Sequence, residues 1–209
     1  MSDKLNAVRE IAETIFANST QKKYWEHTKR VFAYAKTLGN AEKANMDIVL
    51  PAVLLHDVGM TVDASFVGHV IKSKLLARGI LKDIGYSESD IEFIVKVIGS
   101  HHPVPGIMLD TLEEKILYDA DNMEIIGVFG TLRWIGTFPT TPKELESSVD
   151  LFLSIVNKCV DARGSLFYTE SAKKLGDKIV ESTVEYHAKL KAQIKQFEDN
   201  IDNPFPLAF

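Results

Sequence analysis

The sequence predicts an all-α, single-domain fold, and three observations carry that expectation. Apolar residues recur at intervals of three and four along most of the 209 residues, the spacing that lines one face of a helix. No segment shows the strict alternation of a half-buried strand. Gly, Pro, Asn and Ser gather between the periodic stretches, where helices start and stop. With 45% hydrophobic and 25% charged residues, the chain has the composition of a folded protein with one sizeable core.

A first amphipathic helix is expected over Asn6 to Ala17, ending near Asn18–Ser19. The second runs from Lys22 to Leu38: Tyr24, His27, Val31, Tyr34 and Leu38 share a face, and Gly39–Asn40 is placed to stop it. The third, Asp47 to Val58, is apolar almost all round, which predicts a buried central helix. Pro51 lies near its start, where a missing N–H costs least, and Gly59 is placed to end it. A fourth helix is expected from about Ala64 to Leu81, with Phe66, His69 or Val70, Ser73, Leu76 and Ile80 on one face.

Ser87 to His101 is the fifth helix, opened by a Ser87–Asp90 capping pair. Its stripe of Ile91, Ile94, Val95 and Ile98 runs on to His101 and His102, and Pro103, Pro105 and Gly106 then break the chain. Asp110 or Thr111 can cap a sixth helix through Met123 that continues or bends into Ile125 to Ile135, with Gly127 and Gly130 allowing close helix packing. Helices over about 143–160 and 165–197 complete the fold, ahead of an irregular tail from Asn203. The Thr137–Pro142 loop is the best boundary between a catalytic core of about residues 20–135 and a C-terminal helical layer. The last helix carries Leu175, Ile179, Val184, Leu190, Ile194 and Phe197 among polar residues, a face suited either to covering the core or to pairing two copies as a homodimer. His187 is expected at its surface.

A net charge of −5 argues against a partner such as a nucleic-acid polymer, bound through a broad basic surface. It leaves nucleotides open, because a metal ion can supply positive charge locally. The single cysteine, Cys159, allows no intrachain disulfide, the N-terminal stretch does not read as a secretory signal, and the apolar run Ile48 to Leu55 is far too short to cross a bilayer. A cytoplasmic protein without a membrane partner is the expectation.

Five of the six histidines precede residue 103, and they fall on apolar faces. His27 lies inside the stripe of the second helix, His56 and Asp57 end the most apolar helix, and His101 and His102 prolong the stripe of the fifth. A lone inward histidine is usually a hydrogen-bonded core residue, and an aspartate at a helix end is usually a cap. The adjacent pair His56–Asp57 behind seven apolar residues is harder to read that way, because buried imidazoles and carboxylates must be satisfied. A divalent cation satisfies both groups at once.

The order His27, His56–Asp57, Asp121 resembles the H…HD…D pattern of the HD-domain superfamily. The strings EHTKRVFAYA, AVLLHDVGM and KILYDADNMEIIGVFG around those residues fit that resemblance over about residues 20–135, and the last is similar to the DAD segment of small bacterial and archaeal HD hydrolases. That resemblance implies an HD-type helical bundle with one or two divalent metals per chain, commonly manganese, magnesium, iron, cobalt or nickel. It implies His27, His56, Asp57 and Asp121 as the first metal's ligands. It further implies a phosphohydrolase acting on a nucleotide or another small phosphorylated substrate through metal-activated water, with Asp57 also orienting the water.

Histidines between the HD pair and the last aspartate hold a second metal in some family members. His69, His101 and His102 occupy that interval, with His69 and His101 the better placed. The tandem pair can converge only where its helix ends, since neighbours on a helix point about 100° apart. The alternative is that the three bind substrate phosphate or face Asp119, itself read as an outer partner or cap because it cannot share Asp121's helix face. Arg30, Lys72 and Arg133 are cations that can reach a phosphate or form surface ion pairs; Lys72 and Arg133 are the two assigned to catalysis. Two other classes stay open: a di-iron HD-type oxygenase with a six-ligand site, and a noncatalytic metal- or nucleotide-binding module.

Overall fold

The computed structural model describes residues 2–65, 67–102, 108–126 and 142–199. Among them are eight α-helices: α1 (Asp3–Ala17), α2 (Lys23–Glu42), α3 (Met46–Leu55), α4 (Gly68–Ile84), α5 (Glu88–Ile98), α6 (Leu112–Ile126), α7 (Pro142–Arg163) and α8 (Glu170–Asp199). A short 3-10 segment, Val58–Thr61, follows α3, and no strand occurs among the described residues. Among the described residues, no helix is long and apolar enough to cross a membrane. Phe66, Pro103, Gly127, Gly130, Arg133, most of the Thr137–Pro142 loop and the tail from Asn203 lie outside the described residues.

The central helix is α3, as its composition requires: every residue from Ile48 to Leu55 is buried. Asn45 caps it through a bond from Asp47 N to Oδ1 at 3.1 Å. Because α3 begins at Met46, Pro51 sits inside it and not near its start. Around α3 pack α1, α2, α5 and α6, while α4 lies against α5 and the 3-10 segment. In α1, Leu5, Val8, Ala12 and Phe16 face inward at helical spacing. The C-terminal helix α8 lies on α6 and α2 and pairs with α7.

Two glycines expected to stop helices instead permit close approach. The helix α2 passes through Gly39 to Glu42 and is capped by Lys43, whose φ of 61° is left-handed. A Cβ at Gly39 would fall 2.5 Å from Met46 Sδ, so the missing side chain makes room for the start of α3. A Cβ at Gly59 would fall 2.1 Å from the His69 carbonyl oxygen and 2.5 Å from Ser73 N. Gly59 therefore lets the first turns of α4 rest on the 3-10 segment, with its N–H donating to Ser73 Oγ at 2.8 Å.

The inward face of α4 is His69, Ser73, Ala77 and Leu81, while Leu76 and Ile80 are only half-buried. At the start of α6, Thr111 and Glu114 form a reciprocal capping box: Glu114 N donates to Thr111 Oγ1 and Thr111 N to Glu114 Oε2. The inward residues of α8 include Ala172, Val180, Thr183, His187 and Ile194, whereas Leu175 is exposed. His187 is thus buried, contrary to the surface expectation, and its Nδ1 donates to the Thr183 carbonyl at 2.8 Å.

Candidate metal centre

Seven side chains from five parts of the chain converge in the interior. His27 comes from α2, His56 and Asp57 from the turn after α3, His69 from the first turn of α4, His101 and His102 from just beyond α5, and Asp121 from α6. His27, His56, Asp57, His69, His101 and Asp121 are buried, and His102 is half-buried. Asp57 adopts φ −109° and ψ 6°, a sparsely populated backbone region that turns the chain between α3 and the 3-10 segment. Helix α5 ends at Ile98, three residues short of its predicted end, and this ending allows both tandem histidines to approach His69.

The geometry separates into two groups joined by Asp57. His27 Nε2 lies 3.1 Å from Asp121 Oδ1, 3.3 Å from His56 Nε2 and 3.5 Å from Asp57 Oδ2. His56 Nε2 lies 3.6 Å from Asp57 Oδ2 and 3.8 Å from Asp121 Oδ1. On the other side, His69 Nε2 lies 3.2 Å from His101 Nε2 and 3.0 Å from His102 Nε2. Asp57 Oδ1 faces this group, at 3.5 Å from His69 Nε2 and 3.7 Å from His101 Nε2.

The hydrogen bonds at the far side of each ring show what these contacts are. His56, His69 and His101 direct Nδ1 at the carbonyls of Val53, Ser65 and Ile98, at 2.7, 2.8 and 2.6 Å. A carbonyl only accepts, so in each ring Nδ1 carries the proton, and in a neutral imidazole Nε2 is a bare lone pair. His27 Nδ1 likewise faces the Glu124 carboxylate at 2.8 Å. Four lone pairs and two carboxylates therefore point at one another with no proton to share. Protonation is no remedy in the group of His69, His101 and His102: burial, then His56, pushes the His101 imidazole down to about 4. Burial, then His101 and His69, pushes His102 down to about 3.

A divalent ion relieves this repulsion, and the spacings suit one. Neighbouring ligand atoms on an ion with bonds of about 2.1 Å lie about 3.0–3.4 Å apart for octahedral to tetrahedral angles, close to most of the separations within each group. Asp121 Oδ1 is fully buried and accepts no well-aligned hydrogen bond, as expected of an atom reserved for a cation. Burial pushes the Asp57 and Asp121 carboxyls up, but contact with the surrounding imidazoles, His56 first at Asp57 and His27 first at Asp121, outweighs it and holds both below the usual carboxylate range. Both anions are therefore ready to ligate at neutral pH.

Other residues take different places. Asp119 faces away from the centre: its carboxylate accepts from Tyr168 N and Thr169 N at 2.8 Å and from Thr169 Oγ1 at 2.7 Å, which caps α8. Its expected role as a cap is what the structure shows. Arg30, half-buried, binds Glu124. Lys72 is half-buried one turn beyond His69 and close enough to Asp63 to help lower that carboxyl, after the larger effect of the Ser65 hydrogen bonds. Glu124 is not among the residues that the sequence pattern singles out; the signal it leaves is an acid three residues after Asp121, in the otherwise apolar run Met123–Ile126.

The family model for the HD domain matches residues 24–126, a span that contains all seven convergent residues. No curated protein matches the sequence. Among solved structures, the chain is similar to a predicted HD superfamily hydrolase from an uncultured Thermotogales bacterium, at 25% identity over 91% of each chain and a TM-score of 0.57. A Lactobacillus plantarum protein aligns at 21% identity over 94% of this chain and 99% of its own, with a TM-score of 0.73. Bacillus subtilis YpgQ, solved in complex with ADP, aligns at 20% identity over 91% of this chain and 94% of its own, with a TM-score of 0.66. From the matched residues, the helical architecture and the converged histidines and aspartates, the chain is an HD-domain protein.

Proposed function

We propose that the chain is a divalent-metal-dependent phosphohydrolase acting on a nucleotide or another small phosphate ester. The observation that carries this reading is the set of buried Nε2 lone pairs and carboxylates that share no proton, within a matched HD domain. The Thermotogales neighbour, a predicted hydrolase of the same superfamily, supports it. His27, His56, Asp57 and Asp121 would hold one ion, and His69, His101, His102 and the second oxygen of Asp57 a further one. An ion of the manganese, magnesium, iron, cobalt or nickel kind would lower the pKa of a bound water and offset charge developing at phosphorus. Asp57, ionised at neutral pH, also accepts a hydrogen bond from the attacking water and so orients it. Lys72 and Arg133 supply positive charge to the phosphate.

The test is a screen of phosphate esters and nucleotides, nucleoside diphosphates included because YpgQ was solved with ADP, against several divalent metals. Phosphate and pyrophosphate are scored separately, to divide phosphomonoesterase from phosphodiesterase and pyrophosphohydrolase. Release should require metal and fall by at least about a hundredfold in Asp57→Ala that keeps its helical circular dichroism. Full activity in that folded variant overturns the reading. The two-sided contact of Asp57 favours one rival, a di-iron oxygenase, which metal analysis and oxygen uptake after anaerobic purification separate from hydrolysis. A ligand that raises Tm but is never turned over would point instead to a noncatalytic binding module.

A further inference from the structure

The outer partners of the converged imidazoles differ in charge. His56, His69 and His101 each give Nδ1–H to a main-chain carbonyl three or four residues back in the sequence. Those acceptors are neutral and local, and they hold the rings in place. His27 gives its proton to a carboxylate on a different helix, Glu124 Oε2 of α6, at 2.8 Å. The other oxygen of Glu124 accepts from Arg30 Nε at 3.1 Å and Nη2 at 2.7 Å.

Burial shows why both partners are needed. The Glu124 side chain is 1% exposed, and the Arg30 side chain 30%. A buried carboxylate with no partner would be unfavourable. Arg30 balances it from the solvent side, while the His27 N–H meets it from the inside. Arg30 follows His27 by three residues on α2, so one helix face supplies both the ligand and the counter-charge for the ligand's partner.

We infer that Glu124 is a positioning residue which, acting through His27 Nδ1–H, makes the group of His27, His56, Asp57 and Asp121 the tighter of two cation sites. Arg30, bonded to the other oxygen, holds that carboxylate in place. A charged acceptor at Nδ1 draws the proton outward and raises electron density on Nε2, which strengthens that nitrogen as a ligand. The charge balance points the same way. The first group has Asp121 of its own and shares Asp57, and it is backed by Glu124. The second has only its share of Asp57 beside three neutral imidazoles. The inference rests on the metal-dependent reading above, but it is tested by binding and not by turnover.

Metal-depleted protein is titrated with Mn2+ alone, following free Mn2+ and heat. Glu124→Gln keeps an oxygen for the His27 proton and removes the charge. The double variant Glu124→Gln/Arg30→Met removes both charges, so that neither is left buried without the other, and it decides the matter if the single variant fails to fold. Glu92→Gln, which breaks the exposed Arg78 pair, is the control. Two binding steps are expected, and the tight one should weaken about ten- to a hundredfold in the single and double variants. The weak step and the control should stay near wild type. If only hydrogen-bond geometry mattered, folded Glu124→Gln would bind as tightly as wild type; that result, or a loss confined to the weak step, overturns the inference and leaves the metal-dependent reading standing. Wild-type protein that binds no Mn2+ overturns both.

Discussion

Asp119 and Asp121 are two residues apart on α6 and do unrelated work, which makes Asp119→Ala an informative perturbation. The Asp119 carboxylate is fully buried and accepts from Tyr168 N, Thr169 N and Thr169 Oγ1. Truncation leaves two main-chain donors at the start of α8 without their acceptor. A hydrogen bond to a charged group contributes about 1.5–3 kcal/mol, and an unsatisfied buried donor adds a penalty of similar size. The Thr169 hydroxyl can rotate elsewhere, and Tyr168 is half-buried, so its N–H can recover some hydration. The lower end of the range for each main-chain bond gives a loss of about 3 kcal/mol, a large share of a typical folding free energy. Urea unfolding of the metal-free protein, followed by circular dichroism, measures it. Hydrogen exchange should report early opening of the first turn of α8. A loss below about 1 kcal/mol would refute the claim that this carboxylate fastens α8 to the core.

Acid should destabilise the metal-free protein. The folded-state pKa of His101 is depressed from 6.5 to about 4, so the unfolded chain takes up the proton first, and stability present above 6.5 is lost as pH falls toward 4. The His101 share is about 3 kcal/mol by linkage, and His102 acts in the same direction. Urea midpoints in chelator at pH 7.5, about 6 and about 5 should therefore fall in that order; a flat or rising series would contradict the buried, neutral imidazoles. Gly59→Ala should cost about 1–3 kcal/mol, because the new Cβ meets main-chain atoms of α4 that cannot rotate away. It should also weaken Mn2+ binding at the His69 group, and unchanged stability and stoichiometry together would show that α4 can yield.

Much of the site was legible because its residues interrupt apolar patterns. His27 stands in the stripe of α2, and His56–Asp57 closes the fully buried run of α3, so their inward direction follows from helical period alone. Reading α4 was harder. The predicted face included Leu76 and Ile80, but the buried line is His69, Ser73, Ala77 and Leu81, because small residues let α4 press against Gly59. Size complementarity between distant segments leaves no periodic trace. The same reason accounts for Gly39, read as a helix stop and found as a packing surface for Met46. His187 was misplaced because its neighbours in sequence are polar, while the surface it faces is built by other helices.

The sequence by itself determined the all-α architecture, the core role of α3 and the inward placement of the HD pair, since each depends on local period and composition. Tertiary structure alone decided how the aspartates of α6 divide their work. Nearly every residue from Ile116 to Ile126 is buried, so burial could not distinguish Asp119 from Asp121; the helices each one faces did. It also decided that His69, His101 and His102 meet across Asp57, and that Glu124 and Arg30 stand behind His27. Those arrangements join residues up to 97 positions apart, and contacts over such separations are set by how helices pack, not by the order in which their residues are written.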